Sequence, residues 1–128
     1  LRALDYAIHL AQSVGNTASI SLLSVHDDAG LKHVRKHFPK GTIEDFLHDL
    51  SAKELKSSKK KLDKSSLDHE VIIKTGHVAS EIVKTAKSGQ FDLIVMGAKG
   101  RSTFTDLLIG SVAQRVLSAT LVPVTLIK

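Results

Sequence analysis

The chain has 128 residues, enough for one domain with its own core, and its 42% apolar and 24% charged content is that of an ordinary globular protein. Aromatics make up only 4%, with no Trp, which argues against a base-stacking surface for single-stranded nucleic acid. Cys is absent, which excludes disulfides and thiolate metal sites and fits a reducing compartment. No apolar run approaches the roughly 18 to 20 residues of a membrane span, and no secretory signal is visible, so the expectation is a soluble, cytoplasmic domain. The net charge of +5 is concentrated between Lys32 and Lys64, where ten Lys or Arg face five Asp or Glu. Lys59, Lys60 and Lys61 lie on a helical stretch, and a solvated helix face accounts for them. With no nucleic-acid reader motif beside them, a nucleic-acid partner is not expected.

In chain order, residues 1–14 read as a helix, with Leu4, Ala7, Ile8 and Ala11 near the 3.6-residue period and Gly15-Asn16 as its stop. Residues 18–25 (ASISLLSV) read as a strand. Residues 26–41 are polar, with Gly30 and Pro39, and read as a loop holding at most a helical turn. Thr42 opens one long helix, capped by its hydroxyl with Asp45 three residues on, whose buried stripe is Ile43, Phe46, Leu47, Leu50, Leu55 and Leu62. Residues 70–75 (EVIIKT) form a strand ending at Gly76, 78–88 a helix stopped by Gly89, and 91–96 (FDLIVM) the most apolar strand. A helix over 110–119 and a strand over 121–127 (LVPVTLI) close the chain, and Pro123 confines that strand to a sheet edge or delays its start.

Helices alternating with short apolar strands specify βαβ units and a parallel sheet covered on both faces: an α/β, doubly wound domain. The leading helix has no strand ahead of it, and the only Met is Met96. A doubly wound sheet of five mostly parallel strands is therefore expected, with its first, central strand preceding Leu1.

The chemistry concentrates in Gly97-Ala98-Lys99-Gly100-Arg101 and, after eight further residues, Gly110-Ser111. This stretch leaves the carboxyl end of the strongest strand and enters a helix, where open α/β sheets bind ligands. Glycine there permits positive φ and lets backbone N–H groups approach phosphate oxygens. Gly110 and Ser111 stand where free amides and the helix dipole favour an anion, the Ser111 hydroxyl adds a donor, and Lys99 or Arg101 offers charge. The spacing is neither a Walker loop nor the dinucleotide fingerprint. On these grounds alone, a purely structural strand-to-helix connection stays open.

The spacing Gly97-x2-Gly100-x9-Gly110-Ser111 resembles the G-2x-G-9x-G-[ST] pattern of ATP-binding universal stress proteins. DLIVMGAKGRS and LLIGSVAQRVL are similar to that family's most recognisable stretch. TGHVASEIVKTA, SLLSVHD, RALDYAIHLA and PVTLIK extend the likeness over nearly the whole chain. The resemblance implies that residues 1–128 form a single universal stress protein domain lacking its first strand. It implies ATP, with or without Mg2+, held by Gly97, Gly100, Gly110, Ser111 and Val112, to which Arg101 would add charge. Met96 would pack near the nucleoside, and Val25 would border the adenine. It also implies a homodimer through the last strand. The family's first-strand Asp and the Ser after it have no counterpart here.

Other candidates are His33 and His37, spaced as two metal ligands on one helical face, with His26 or Asp27 as a third, but in a charged, loop-like stretch. Asp27 and Asp28 follow a strand and suit either Mg-phosphate chemistry or capping. No nucleophile–base arrangement is arguable from spacing. The leading expectation is a nucleotide-responsive binding module with at most slow hydrolysis. The alternatives are a nucleotide-free interaction protein and an adenylyl-transferring α/β enzyme.

Overall fold

The computed structural model of the chain describes residues 2–15, 17–27, 35–99 and 109–128. Helix α1 (Arg2–Ser13) leads into strand β1 (Ile20–His26), a 3-10 turn (Arg35–His37), and helices α2 (Thr42–Glu54) and α3 (Lys56–Ser65). Strand β2 (His69–Thr75), helix α4 (Val78–Ser88), strand β3 (Ile94–Gly97), helix α5 (Ser111–Ala119) and strand β4 (Val124–Ile127) follow. The α/β class and the alternation agree with the sequence reading, and the expected bounds of α4 are met at both ends.

Strand count and continuity differ. Four strands are described, in two parallel pairs: β1 with β2, from Ile20↔His69 to His26↔Thr75, and β3 with β4, from Ile94↔Val124 to Gly97↔Ile127. No described strand joins β1 to β3, so the expected five-stranded sheet appears as two half-sheets. Helix α1 packs against both halves, touching β1, β3 and β4. Helix α2 covers β2, while α4 packs on β1 and β2 and against α5.

The bonds at the ladder ends fix which way each strand's backbone faces. Ile20 N–H donates to Asp68 C=O at 3.0 Å and Gly76 N–H to His26 C=O at 2.9 Å. Even-numbered groups of β1 and β2 therefore turn toward each other, and the peptide groups of Ser21, Leu23 and Val25 face the opposite edge of β1. In the second half-sheet, Ile94 N–H donates to Pro123 C=O at 2.9 Å and Ala98 N–H to Ile127 C=O at 2.8 Å. Val95 and Gly97 thus turn away from β4. Pro123 lends only its carbonyl and β4 begins one residue later, the delayed start its missing N–H demands.

The core is built from helix faces. Leu4 and Ala11 of α1, Ala79 and Ala86 of α4, and Ala113 and Val116 of α5 are buried. The long helix expected after Thr42 is two helices, broken at Leu55. The face that goes inward is Ile43, Leu47 and Ser51, then Ser58 and Leu62. Phe46 and Leu50 lie one step round the helix from Ile43, Leu47 and Ser51 and stay exposed, at 63% and 36%. Thr42 is not the cap but the first helical residue: the N-cap is Gly41, whose φ of 92° needs no side chain, and Asp45 N–H bonds its carbonyl at 2.9 Å. Gly89 ends α4 as expected, in right-handed geometry, and Gln90 takes the left-handed position.

Candidate functional site

Strand β3 carries the site outward. Ile94, Val95 and Met96 are half-buried, Gly97 is exposed and Ala98 is buried again. The chain then leaves the sheet and comes back to it. Gly110 N–H donates to Ala98 C=O at 2.7 Å, which docks the start of α5 on the carboxyl end of β3. That bond joins the two ends of the motif.

The start of α5 is open. Its N-cap is Gly110, in extended geometry, and no side chain caps it. The first helical bond is Gln114 N–H to Gly110 C=O at 3.0 Å, so the amides of Ser111, Val112 and Ala113 have no acceptor within the helix. No acidic residue occupies the first turn, so the helix itself does not compensate the positive end of its dipole. Ser111 is exposed, Val112 half-buried, and Gln114 Nε2 holds the approach by donating to Ile109 C=O at 3.0 Å. Free amides, a hydroxyl and a helix dipole at one strand end suit an anion.

The role of the glycines needs a correction. Among the described residues only Gly15, Gly41 and Gly76 are glycines with positive φ, so neither Gly97 nor Gly110 is there for a left-handed turn. A Cβ on Gly97 would meet only the Lys99 carbonyl, at an ordinary 3.5 Å. Nothing among the described residues requires glycine at 97.

Val25 stands on the other half-sheet, half-buried and next to the carboxyl end of β1, with its peptide groups on the edge turned away from β2. Gly97 occupies the equivalent place on β3, its peptide groups turned away from β4. Gly100 and Arg101 lie outside the described residues, as do Asp28 and His33. Lys99 is half-buried and Asp27 exposed. No group of three His, Cys, Asp or Glu that could hold a metal ion occurs among the described residues. His37 is exposed.

One pairing had no sequence signal because its partners are 38 positions apart. Arg115 Nη1 lies 3.0 Å from His77 Nε2, tying the N-cap of α4 to the second turn of α5. His77 Nδ1 also lies 3.3 Å from the Ser80 N–H and 2.9 Å from its hydroxyl. A neutral imidazole has one acceptor nitrogen, so the Ser80 amide and the Arg115 guanidinium compete for it.

A family model described as the universal stress protein family matches residues 1–128. The chain belongs to the universal stress protein family. A universal stress protein of Bacillus subtilis strain 168, YxiE, is 30% identical over 138 residues, covering 99% of this chain and 89% of its own length. The solved structure of MJ0577, a universal stress protein of Methanocaldococcus jannaschii, superposes with a TM-score of 0.80 at 25% identity, covering 99% of this chain and 88% of that one. A universal stress protein solved in complex with cAMP shares the fold, with a TM-score of 0.70 at 21% identity, over 99% of this chain and 87% of that one. No helix among the described residues of this universal stress protein is long and apolar enough to cross a membrane.

Proposed function

We propose that this universal stress protein binds ATP, with or without Mg2+, and acts as a nucleotide-responsive regulatory module. The observation that carries the reading is the 2.7 Å bond from Gly110 to Ala98, which sets an uncapped helix start beside an exposed, side-chain-free Gly97. In this reading Gly110, Ser111 and Val112 hold the phosphates by backbone amides and the Ser111 hydroxyl. Gly97 and Gly100 admit the ribose and phosphates closely, Arg101 adds charge, Met96 packs near the nucleoside, and the outward peptide groups of Val25 read the adenine edge. The family resemblance supports these roles, and a family relative solved with cAMP supports an adenine nucleotide as ligand. Mg2+ enters as the counterion of the phosphates.

The same reading takes residues 1–128 as one domain whose sheet is completed by a parallel strand ahead of α1. That strand would sit between β1 and β3 and pair with the outward groups of Ser21, Leu23 and Val95, short of the carboxyl ends where Val25 and Gly97 meet the ligand. It would form one wall of the adenosine site. We read the assembly as a cytoplasmic homodimer through the outer edge of β4. Val122, Val124 and Leu126 are half-buried, and Leu121 just ahead of β4 is fully exposed.

Isothermal titration with ATP is the test, run on the 128-residue chain and on the same chain with an apolar strand joined ahead of Leu1. Saturable heat that disappears when Gly110 and Ser111 are both replaced by bulkier residues supports the reading. Absence of heat from both proteins sinks it. Release of AMP and pyrophosphate would instead identify an adenylyl-transferring enzyme.

A further inference from the structure

A second feature lies on the far side of the first half-sheet and owes nothing to the nucleotide site. Between the outer edge of β2 and helix α4 runs an open groove. Lys74 lines it from the strand, and Lys84, Thr85, Lys87 and Ser88 line it from the helix. At one end the lining continues with Ile72 and Phe91.

The charge there is unbalanced. Glu81, also in the groove, lies 3.8 Å from Lys84, and Glu70 accepts a hydrogen bond from Ser21 Oγ at 2.8 Å. Both carboxylates therefore have partners, whereas Lys74 and Lys87 form no ion pair among the described residues. Lys74, Lys84 and Lys87 are all exposed.

The backbone beside these lysines is also unused. Since Glu70, Ile72 and Lys74 turn their peptide groups to β1, those of Val71, Ile73 and Thr75 face outward, with no ladder partner among the described residues. An extended peptide laid along such an edge gains main-chain hydrogen bonds, and every second side chain falls on the α4 face.

We propose that this rim is a docking surface for an acidic, extended segment of a partner protein. The segment adds as a strand to β2 and sets alternate carboxylates among Lys74, Lys84 and Lys87. A second copy of the chain pairing β2 with β2 is the competing occupant, and concentration-dependent dimerisation in place of peptide binding would overturn the proposal. A nucleic acid could use the charge but not the ladder of N–H and C=O groups.

The test is a fluorescence titration of the 128-residue chain with a labelled eight-residue peptide alternating Glu and Val, alongside a Lys-Val peptide and a Glu-Val peptide N-methylated at alternate residues. The acidic peptide should bind saturably, and the amides of Val71 and Ile73 should become protected from hydrogen exchange in the complex. The double substitution K84E/K87E changes two exposed helix positions and should leave the far-ultraviolet circular dichroism unchanged. It should weaken binding about tenfold, the scale of two exposed charge contacts. Equal binding of the Lys-Val peptide overturns the charge argument, and equal binding of the N-methylated peptide overturns strand addition. Binding of inorganic polyphosphate without the acidic peptide would make this a polyanion surface, and the proposal falls.

Discussion

Helices α4 and α5 both begin at the carboxyl ends of parallel strands, and their starts are finished in opposite ways. At α4 the N-cap is His77, whose ring nitrogen lies 3.3 Å from the Ser80 amide, and Glu81 stands in the first turn against the dipole. At α5 the N-cap is Gly110, with no capping side chain and no acidic residue in the first turn. The backbone geometry is the same, extended at both, with φ −74° and ψ 119° at His77 against φ −63° and ψ 157° at Gly110. Stability is served by the first arrangement. The second leaves the first amides of α5 without an acceptor among the described residues, at a position where a capping Ser or Asp contributes about 1 kcal/mol over Ala.

The sharpest way to break this contrast is to finish α5 as a protein helix would be finished. Gly110→Asp places a carboxylate over the free amides without straining the backbone, since φ −63° suits any residue. ATP affinity should fall by about 100-fold or more, with a charge-assisted internal cap displacing and repelling the phosphates. Thermal stability should rise, by about 0.5 kcal/mol. Opposite signs in calorimetry and melting are the signature. If the variant binds ATP like the parent, the open helix start is not the phosphate site.

Gly97→Val probes the other wall of the same opening. Its Cβ meets only the Lys99 carbonyl at 3.5 Å, so the melting temperature should hardly move. ATP affinity should drop about tenfold, the scale of one overfilled contact. A large loss of stability with unchanged affinity would return Gly97 to a structural role. His77→Ala tests the closed end and reverses the pattern. About 1 kcal/mol of stability should be lost with the cap, and ATP affinity should stay within error. A loss of ATP affinity in that variant would mean that the two helix starts work as one site.

How far the residues announced these features depends on the range of the forces involved. The strands, the bounds of α4 and the spacing from Gly97 to Ser111 rest on local periodicity and turn chemistry, and they were legible. The break at Leu55 was not, because the apolar period runs on past it through Leu62. Which of two neighbouring faces turns inward is decided by packing on β2, so Phe46 and Leu50 were assigned to the core and lie outside it. Of the two reasons the sequence offers for the glycines, positive φ is absent at Gly97 and Gly110, and a requirement for bare backbone reads just like it in sequence. The Arg115–His77 contact and the outward peptide groups of Val25 depend on register and tertiary approach, which no spacing encodes.

A third end, at the amino edge of the first half-sheet, is closed internally and titrates. His69 Nδ1 lies 2.8 Å from the Leu67 carbonyl and Nε2 lies 3.0 Å from Asp63 Oδ1, so both nitrogens face acceptors. The Leu67 carbonyl foremost raises the His69 pKa above its usual 6.5; burial opposes it, and the Asp63 carboxylate and the nearby Asp68 add to the rise. A folded-state pKa above the unfolded one means that this clamp contributes fully below about pH 6.5 and is lost as pH rises through the raised value. His69→Gln removes the charge and most of the pairing. Between about pH 5 and about pH 8, the melting-temperature gap between parent and variant should be widest at the acid end and should close on the alkaline side. The effect is small, because the Asp63 side chain is 61% exposed. A gap that stays constant or widens as pH rises would show that the ring is held neutral, and that this end, unlike the start of α4, is not sealed by charge.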